Sequence, residues 1–250
     1  MKSNLQNQIA WEHRVYECWS QHFGSSEIEA TKILEEPKYP MRRYLKYFEE
    51  IEGKTIFCPL GSCGRRSLSL SLLGGKVTHL DFSEGNIQFA KEMSDIAQQD
   101  IEFVYQDFMT YQGKKHDICF MEGGILHYFH DLDAYVQQVR KHTKIGGRFI
   151  LNDFHPFRKV FTQRDIFESD TNFETTGDYF DTDIHEGAVA FEKLMDDNDF
   201  PKCSLRYYTM SEILNALINN GFQLLHMAEG PRFDSHKHLP GDFTLVLKAI

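Results

Sequence analysis

Residues 57–83 read FCPLGSCGRRSLSLSLLGGKVTHLDFS, and this stretch admits two folds. The alternation of Leu and Ser ahead of Gly74-Gly75 is typical of a β-hairpin. The same residues are also compatible with a strand, a glycine loop, a helix and a second strand that ends at Asp81. The difference matters for function, because only the second alternative builds a loop of the kind that approaches a nucleotide-like ligand.

Apolar runs farther along the chain favour the second alternative. They are TIFCPL (55–60), KVTHLDF (76–82), IEFVYQDF (101–108), DICFMEGGIL (117–126) and GRFILNDF (147–154). Helical patterns cover 84–97 and 132–142, and Gly146-Gly147 is expected to close the second helix. Strands that alternate with helices indicate a parallel sheet, whose neighbouring strands need crossovers of a dozen or more residues. We therefore expect an α/β fold with a crossover helix between Gly61 and Gly75.

The segments around this core, which we place at 53–156, have a different character. Residues 1–52 look helical and aromatic, with Trp11 and Trp19 at helical spacing, and a second helix is expected over 42–50. This segment either packs against the core or forms a lid over a pocket. Residues 157–205 break the alternation, and we interpret them as an insertion with one or two antiparallel strands that covers the substrate.

Regular structure is expected again over 206–250. Thr209 and Glu212 have the spacing of a capping box at the start of a helix. Two last strands are expected over 222–227 and 243–247. This part of the chain should complete the core sheet.

Composition restricts the classes of partner. The 250 residues include 37 acids against 27 Lys and Arg, a formal net charge of −10, which argues against a nucleic-acid partner. No stretch has the length and apolarity of a signal peptide or a membrane span, so we expect neither. Five scattered cysteines indicate free thiols in a reducing cytoplasm. His236 and His238 near Asp234 could suggest a metal, but a solvated loop is favoured and no metal site is expected.

The glycine loop and Asp81 together indicate a nucleoside site. A glycine loop between a strand and a helix brings backbone N–H groups close to a ligand. Asp81 follows at about the twenty-residue offset at which an acid binds ribose hydroxyls.

These segments resemble the class I S-adenosylmethionine-dependent methyltransferases over residues 54–156 and 206–250. The resemblance rests on LGSCGRRS, HLDFSEGNIQFAKE, YQDF, DICFMEGGILHYFHDL, KIGGRFILNDFHP and the ending GFQLLHM to DFTLVLKAI. It implies a Rossmann-like doubly wound sheet, mostly parallel, with an antiparallel final strand. The first motif departs from the family pattern, because Pro59 stands where most members have an acid and Ser62-Cys63 alter the glycine spacing.

The resemblance also implies S-adenosylmethionine as cofactor and a set of residues that contact it. Gly61, Ser62 and Gly64 would lie under the methionine and ribose, Asp81 would bind both ribose hydroxyls, and Phe82 would cover the adenine. Asp107 would accept from the adenine amino group, and Phe108 would offer a backbone N–H. Met121, Glu122 and Gly123 would face the reacting methyl group.

Histidines are the candidates for a general base, since their ordinary pKa near 6.5 suits proton removal. His127 is the first candidate and His155 the second, because each follows a strand that ends at the same sheet edge. His130 is a third. Arg14 and Tyr16 are weaker candidates for reaching the pocket from the N-terminal segment.

The resulting hypothesis is a methyltransferase that acts on an O or N atom of a small molecule. One alternative is an NAD(P)-dependent oxidoreductase, which would use the same loop and acid. Another is a non-catalytic module that binds the cofactor or a partner. The sequence names neither the methyl acceptor nor the oligomeric state.

Overall fold

A computed structural model describes residues 2–160, 177–195, 199–231 and 238–250 of the chain. Within these ranges the α-helices are α1 (Lys2–Glu12), α2 (Val15–Phe23), α3 (Ser26–Glu35), α4 (Arg65–Leu72), α5 (Glu84–Ile96), α6 (Leu132–His142) and α7 (Met210–Asn219). The strands are β1 (Thr55–Pro59), β2 (Lys76–Asp81), β3 (Glu102–Tyr105), β4 (His116–Glu122), β5 (Thr143–Phe154), β6 (Ile184–Gly187), β7 (Cys203–Arg206), β8 (Phe222–Gly230) and β9 (Asp242–Ala249).

Seven of these strands form one sheet in the order β3-β2-β1-β4-β5-β9-β8. The first five pair in parallel, and β9 is antiparallel to both β5 and β8. The predicted mostly parallel sheet with an antiparallel final strand is therefore confirmed. The hairpin alternative for 57–83 is wrong, because Ile56 pairs in parallel with Val77 and α4 crosses between the two strands.

Helices cover both faces of the sheet. Phe57 and Cys119 face a core formed with α6 and α7. Their strand neighbours Ile56 and Ile118 point the other way, because side chains alternate along a strand, and pack against the segment around Tyr44. This two-sided burial explains why the core strands are nearly continuous apolar runs in the sequence.

The N-terminal segment differs from the prediction. The helix expected over 42–50 is wrong, since that stretch forms turns and a short 3₁₀ helix at Leu45–Tyr47. Helix α3 lies earlier, within the stretch expected to be helical, and is capped by Ser25, whose side chain accepts from the N–H of Ile28 at 3.3 Å. Between α1 and α2, Arg14 has a φ of 54°, so Trp11 and Trp19, which have helical spacing in the sequence, lie on two separate helices.

The Gly146-Gly147 pair also has a different role from the one predicted. Helix α6 already ends at His142, and the glycines lie within β5, in a bulge where the pairing of β4 and β5 shifts register. A Cβ at Gly147 would lie 2.8 Å from the carbonyl oxygen of Asp117. The glycine therefore permits a close approach of two strands and does not stop the helix.

The later part of the chain follows the prediction more closely. Strands β6 and β7 form a separate antiparallel pair. At the start of α7 the capping box is present, with Thr209 and Glu212 bonded reciprocally. Among the described helices, none is long and apolar enough to cross a membrane.

Candidate active site

The loop after β1 turns sharply and aims a backbone donor at the end of β2. Leu60, Ser62 and Gly64 have φ angles of 54°, 52° and 77°, in the left-handed region that L residues seldom adopt. The N–H of Gly61 donates to the carbonyl oxygen of Leu80 at 3.1 Å. This conformation places the N–H of Ser62 2.9 Å from Oδ2 of Asp81.

Two glycines of this loop are required by packing beneath it. A Cβ on Gly61 would lie 2.4 Å from the His79 ring, and a Cβ on Gly64 would lie 2.4 Å from the Cβ of Ala90. Strand β2 and helix α5 therefore support the loop from one side. The opposite side of the loop faces a cavity.

Asp81 is a buried carboxylate with three hydrogen bonds. Oδ2 accepts from Ser62, and Oδ1 accepts from the N–H of Ser83 at 2.9 Å and from Nδ2 of Asn86 at 3.1 Å. Burial raises its pKa, and these donors act against that shift. A carboxylate has roughly four acceptor positions, so one remains for a ligand hydroxyl.

A cavity of about 670 Å³ opens over this loop; we call it the glycine-loop cavity. Seven of the predicted site residues line it: Gly61, Ser62, Asp81, Phe82, Asp107, Glu122 and Gly123. They come from the last residues of β2 and β4 and from the loops after β1, β2, β3 and β4, because the carboxyl ends of parallel strands meet at one sheet edge. The structure thus brings most of the predicted cofactor contacts together.

Three predicted residues do not line the cavity. Met121 points into the core, because side chains alternate along a strand and that of Glu122 faces the cavity. There the Sδ of Met121 accepts from the Tyr135 hydroxyl at 2.8 Å. Phe108 is likewise a core residue, and Gly64 lies beneath the loop. Asp107 lines the cavity and caps the short helix that follows it, accepting from the N–H of Met109 at 2.9 Å.

The N-terminal helices supply cavity residues that the sequence analysis did not assign to the cofactor site. Gln8, Trp11, Trp19 and Phe23 all line the glycine-loop cavity. The aromatic stripe of α1 and α2 was a visible signal, but it predicts packing as readily as ligand contact.

Arg14 and Tyr16 do not line this cavity. Arg14 pairs with Glu17 at 2.6 Å, and the Tyr16 hydroxyl donates to Glu92 at 2.7 Å.

An ion pair spans the cavity wall where α4 meets the end of β4. Arg66 Nε lies 3.2 Å from Oε1 of Glu122, and the Tyr44 hydroxyl donates to Oε2 of Glu122 at 2.9 Å. Nη2 of Arg66 donates to Oε2 of Glu122 at 3.5 Å, whereas the buried Nε–H has no hydrogen-bond partner among the described residues. A buried donor beside a carboxylate suits a zwitterionic ligand.

A second cavity of about 400 Å³ adjoins the first; we call it the histidine cavity. The two cavities share Gly123, Gly124, Tyr128 and Ala190. Both candidate bases, His127 and His155, line the histidine cavity only.

His127 is held among aromatic rings. Its ring is parallel to that of Phe154, with centroids 6.0 Å apart and an interplanar angle of 10°. Neither ring nitrogen hydrogen-bonds any residue within the described ranges. Burial, followed by the nearby charge of Arg158, lowers the pKa of His127 to about 4, so the ring is neutral near pH 7 and can accept a proton.

His155 has both ring nitrogens engaged. Nδ1 accepts from the N–H of Phe157 at 3.1 Å, which fixes the proton on Nε2, 2.7 Å from Oε1 of Glu229. Burial lowers the pKa of His155, although the Glu229 carboxylate acts in the opposite direction. His130 lines neither cavity and bonds Ser204 at 3.2 Å. Of the three candidates, His127 is the one whose ring nitrogens are engaged by no described residue.

No three His, Cys, Asp or Glu side chains cluster as a metal site within the described ranges. The suggested metal residues His236 and Asp234 lie outside the described residues.

Comparisons with known proteins agree with this geometry. Residues 60–151 match the family model described as a methyltransferase domain. The chain has a class I methyltransferase fold. No curated protein matches the sequence of this chain.

Several solved methyltransferases share the fold at low sequence identity. An S-adenosylmethionine-dependent methyltransferase from Mesorhizobium loti is 18% identical with a TM-score of 0.62, over 85% of this chain and 97% of that one. The magnesium protoporphyrin IX methyltransferase of Synechocystis PCC 6803, with bound SAH, is 12% identical with a TM-score of 0.63, over 99% and 100% of the two chains. A further S-adenosylmethionine-dependent methyltransferase, from Clostridium acetobutylicum ATCC 824, is 14% identical with a TM-score of 0.61, over 85% and 90%. None of these comparisons favours the oxidoreductase alternative.

Proposed function

We propose that the protein is an S-adenosylmethionine-dependent methyltransferase that methylates an O or N atom of a small molecule. The observation that carries the proposal is Asp81, a buried carboxylate at the end of β2 that is bonded to the glycine loop and faces the larger cavity. The matched methyltransferase domain and the bound ligands of the structural relatives support this choice of cofactor.

The adenosine part would lie between the ends of β2 and β3. Asp81 has one acceptor position left for a ribose hydroxyl, so we propose one such bond and not the two expected from the resemblance. Phe82 and Asp107 line the same region and would contact the adenine. Phe108 would contribute through its backbone N–H, since its side chain is in the core.

The methionine part would lie against the Arg66–Glu122 pair. Its carboxylate would accept from the buried Nε of Arg66, and its ammonium group would donate to Glu122. Such a placement matches each charge of the zwitterion with an opposite one. This placement would also put the sulfur centre of the bound molecule near Gly123, where the two cavities meet.

The acceptor would bind in the histidine cavity. When bound, S-adenosylmethionine supplies an activated methyl group, and the electron pair of the broken C–S bond remains on sulfur. The chain has to hold the acceptor atom in line and exclude water. His127, with both ring nitrogens unbonded by described residues, would take the proton that the acceptor hydroxyl or amine releases.

We extend the proposal to the organisation of the chain. Residues 1–52 would cover the cofactor, through Trp11 and Trp19, while 53–156 and 206–250 form the binding core and 157–205 covers the acceptor. A cytoplasmic location is proposed because all five cysteines are free.

Isothermal titration with S-adenosylhomocysteine tests the proposal, with NAD(H) and NADP(H) titrated in parallel. We expect micromolar binding of S-adenosylhomocysteine alone. Asp81→Asn keeps the size of the side chain and should weaken binding by roughly tenfold or more, because a charged acceptor is lost. Asp95→Asn, an exposed position on α5, is the matched control. Absence of S-adenosylhomocysteine binding by the folded wild type would refute the proposal.

A further inference from the structure

Glu122 is hydrogen-bonded at one carboxylate oxygen and not at the other. Its Oε2 accepts from the Tyr44 hydroxyl at 2.9 Å and from Nη2 of Arg66 at 3.5 Å. Its Oε1 accepts no hydrogen bond from the described residues, although Nε of Arg66 lies 3.2 Å away. The pair therefore keeps one donor, the Nε–H of Arg66, and one acceptor, Oε1 of Glu122, unused in the wall of the glycine-loop cavity.

This open arrangement differs from the one that a guanidinium and a carboxylate prefer. The two groups usually form a fork of two parallel N–H···O bonds. A small rotation of the Glu122 carboxylate would close that fork and bond the Nε–H of Arg66 to Oε1, and no donor or acceptor would then be left for a ligand. The hydrogen bond from Tyr44 to Oε2 opposes this rotation.

Tyr44 is a buried donor that keeps its proton. Its ring lies against that of Phe120, with centroids 5.3 Å apart. The hydroxyl also lies 3.3 Å from Oδ1 of Asn152, but the shorter distance and the negative charge of Glu122 direct its single proton to the carboxylate. Burial, followed by the charge of Glu122, raises the pKa of Tyr44, so the hydroxyl remains a donor near pH 7.

The segment that carries Tyr44 is fixed to its surroundings. Arg43 forms an ion pair of 2.5 Å with Asp242, at the start of β9. The carbonyl oxygen of Pro37 accepts from the hydroxyl of Ser69 in α4, the same helix as the guanidinium. Because the segment is bonded to both the sheet and α4, Tyr44 is held in place against a rotation of the carboxylate.

Building on the proposed cofactor, we propose that Tyr44 is a positioning residue that holds the Arg66–Glu122 pair open for the zwitterionic end of S-adenosylmethionine. The ligand carboxylate accepts from the Nε–H of Arg66, and the ligand ammonium donates to Oε1 of Glu122. A closed pair would have to break before the ligand could bind, which would lower the affinity. Tyr44 itself is not among the residues that line the cavity, so it acts through Glu122.

Isothermal titration with S-adenosylhomocysteine and with 5′-methylthioadenosine tests this inference. The second compound keeps the adenosine and the thioether but lacks the amino-acid end, so its affinity reports on the rest of the site. Tyr44→Phe removes the hydroxyl and keeps the ring. We expect it to weaken S-adenosylhomocysteine binding by about tenfold and to change 5′-methylthioadenosine binding by less than about twofold. A purely structural role of Tyr44 would weaken both compounds alike.

Two further variants locate the effect. Tyr47→Phe is the matched control, because Tyr47 is a half-buried tyrosine of the same segment that makes no hydrogen bond to Glu122. Glu122→Gln should weaken S-adenosylhomocysteine binding by about tenfold or more. Adding Tyr44→Phe to that variant should cause no further loss, because the carboxylate that Tyr44 positions is already absent.

A measurement on the wild type tests the open pair without any change at Tyr44. The ¹H–¹⁵N NMR signal of the Arg66 Nε–H is assigned by its absence in Arg66→Lys. We expect this signal to shift, and its exchange with water to slow, when S-adenosylhomocysteine is added. The same signal should not respond to 5′-methylthioadenosine, which has no carboxylate.

The outcomes separate this inference from the proposed function. Failure of the folded wild type to bind S-adenosylhomocysteine would overturn the proposed cofactor. If the wild type binds it, the cofactor stands, and the positioning role is tested by itself. An unchanged affinity in Tyr44→Phe, an equal loss for both compounds, a further loss in the double variant, or an Arg66 signal that S-adenosylhomocysteine leaves unchanged would each overturn that role.

Discussion

The side-chain amide of Asn86 donates a hydrogen bond of 3.1 Å to Oδ1 of Asp81. The carbonyl oxygen of the same amide accepts from Nε1 of Trp19 in α2 at 2.8 Å. Asn86 is buried and thus connects the N-terminal helices to the carboxylate that we propose binds ribose. The N-terminal segment is therefore tied by a polar bond, as well as by apolar packing, to the candidate cofactor site.

Asn86→Ala should weaken the binding of S-adenosylhomocysteine and destabilise the protein. Asp81 loses one of its three donors, and Trp19 loses its acceptor, so we expect a three- to tenfold loss of affinity and a loss of about 1–2 kcal/mol in the free energy of unfolding. Trp19→Phe removes only the hydrogen bond between Trp19 and Asn86 and should have the smaller effect on affinity. Titration and urea unfolding measure both quantities, with the exposed Lys91→Ala on the same helix as control. Equal affinity in wild type and Asn86→Ala would contradict the connection.

Gly61→Ala should destabilise the protein by about 1–3 kcal/mol, the usual cost of overpacking. The new Cβ would lie 2.4 Å from the ring of His79, which is itself fully buried. Gly230→Ala is a matched control, because its nearest neighbour, Oδ1 of Asp242, would be at 3.9 Å. Urea unfolding of the two variants should differ clearly. Equal stabilities would mean that the loop can move away from β2.

His155 should be observed as the Nε2–H tautomer, because its Nδ1 accepts from the backbone of Phe157. Glu229→Gln should lower the pKa of His155 further, since the carboxylate of Glu229 raises it. Long-range ¹H–¹⁵N NMR of the histidine rings reports the tautomer and the titration together. The exposed Glu27→Gln on α3 is the control. An Nδ1–H tautomer would restore His155 as a candidate base.

Stability should fall as the pH is lowered from about 6.5 to about 4. Burial lowers the pKa values of His79, His116 and His127 to about 4, whereas a histidine in the unfolded chain titrates near 6.5. Between these values the unfolded state binds more protons, so the free energy of unfolding decreases with decreasing pH by up to about 1.4 kcal/mol per pH unit for each histidine. The raised pKa of Asp81 increases the free energy of unfolding as the pH falls, but this is one group against three histidines.

Urea unfolding at pH 7 and pH 5 measures this slope. His116→Phe removes one buried titrating ring and should make the slope shallower, while the exposed His22→Gln controls for the loss of a surface histidine. A slope that is equal in wild type and His116→Phe would show that His116 is not kept neutral by the fold.

The sheet was predictable because its strands are buried on both faces and end at polar residues. Asp81 and Asp107 could be assigned to one edge, since parallel strands present their carboxyl ends together. The helix predicted over 42–50 is absent for an identifiable physical reason. Met41, Tyr44 and Phe48 are buried at helical spacing, but the same spacing of three and four also suits successive turns.

Contacts made by distant segments could not be predicted. The docking of Trp11 and Trp19 over the glycine loop depends on tertiary packing that local spacing does not encode. The direction of a side chain at the end of a strand is equally hard to predict, which is why Met121 was grouped with Glu122 although their side chains alternate. Tautomers such as that of His155 depend on hydrogen bonds that sequence alone does not reveal.

Gly123, Gly124, Tyr128 and Ala190 form a common wall, so occupants of the two cavities would be near neighbours. The positive charge of a sulfonium in one cavity would then act on an occupant of the other, and whatever effect one occupant has on the affinity of its neighbour is reciprocal. Methyl transfer leaves a neutral thioether, which removes that charge. The shared wall would thus couple the binding of the two substrates more strongly than the binding of the two products.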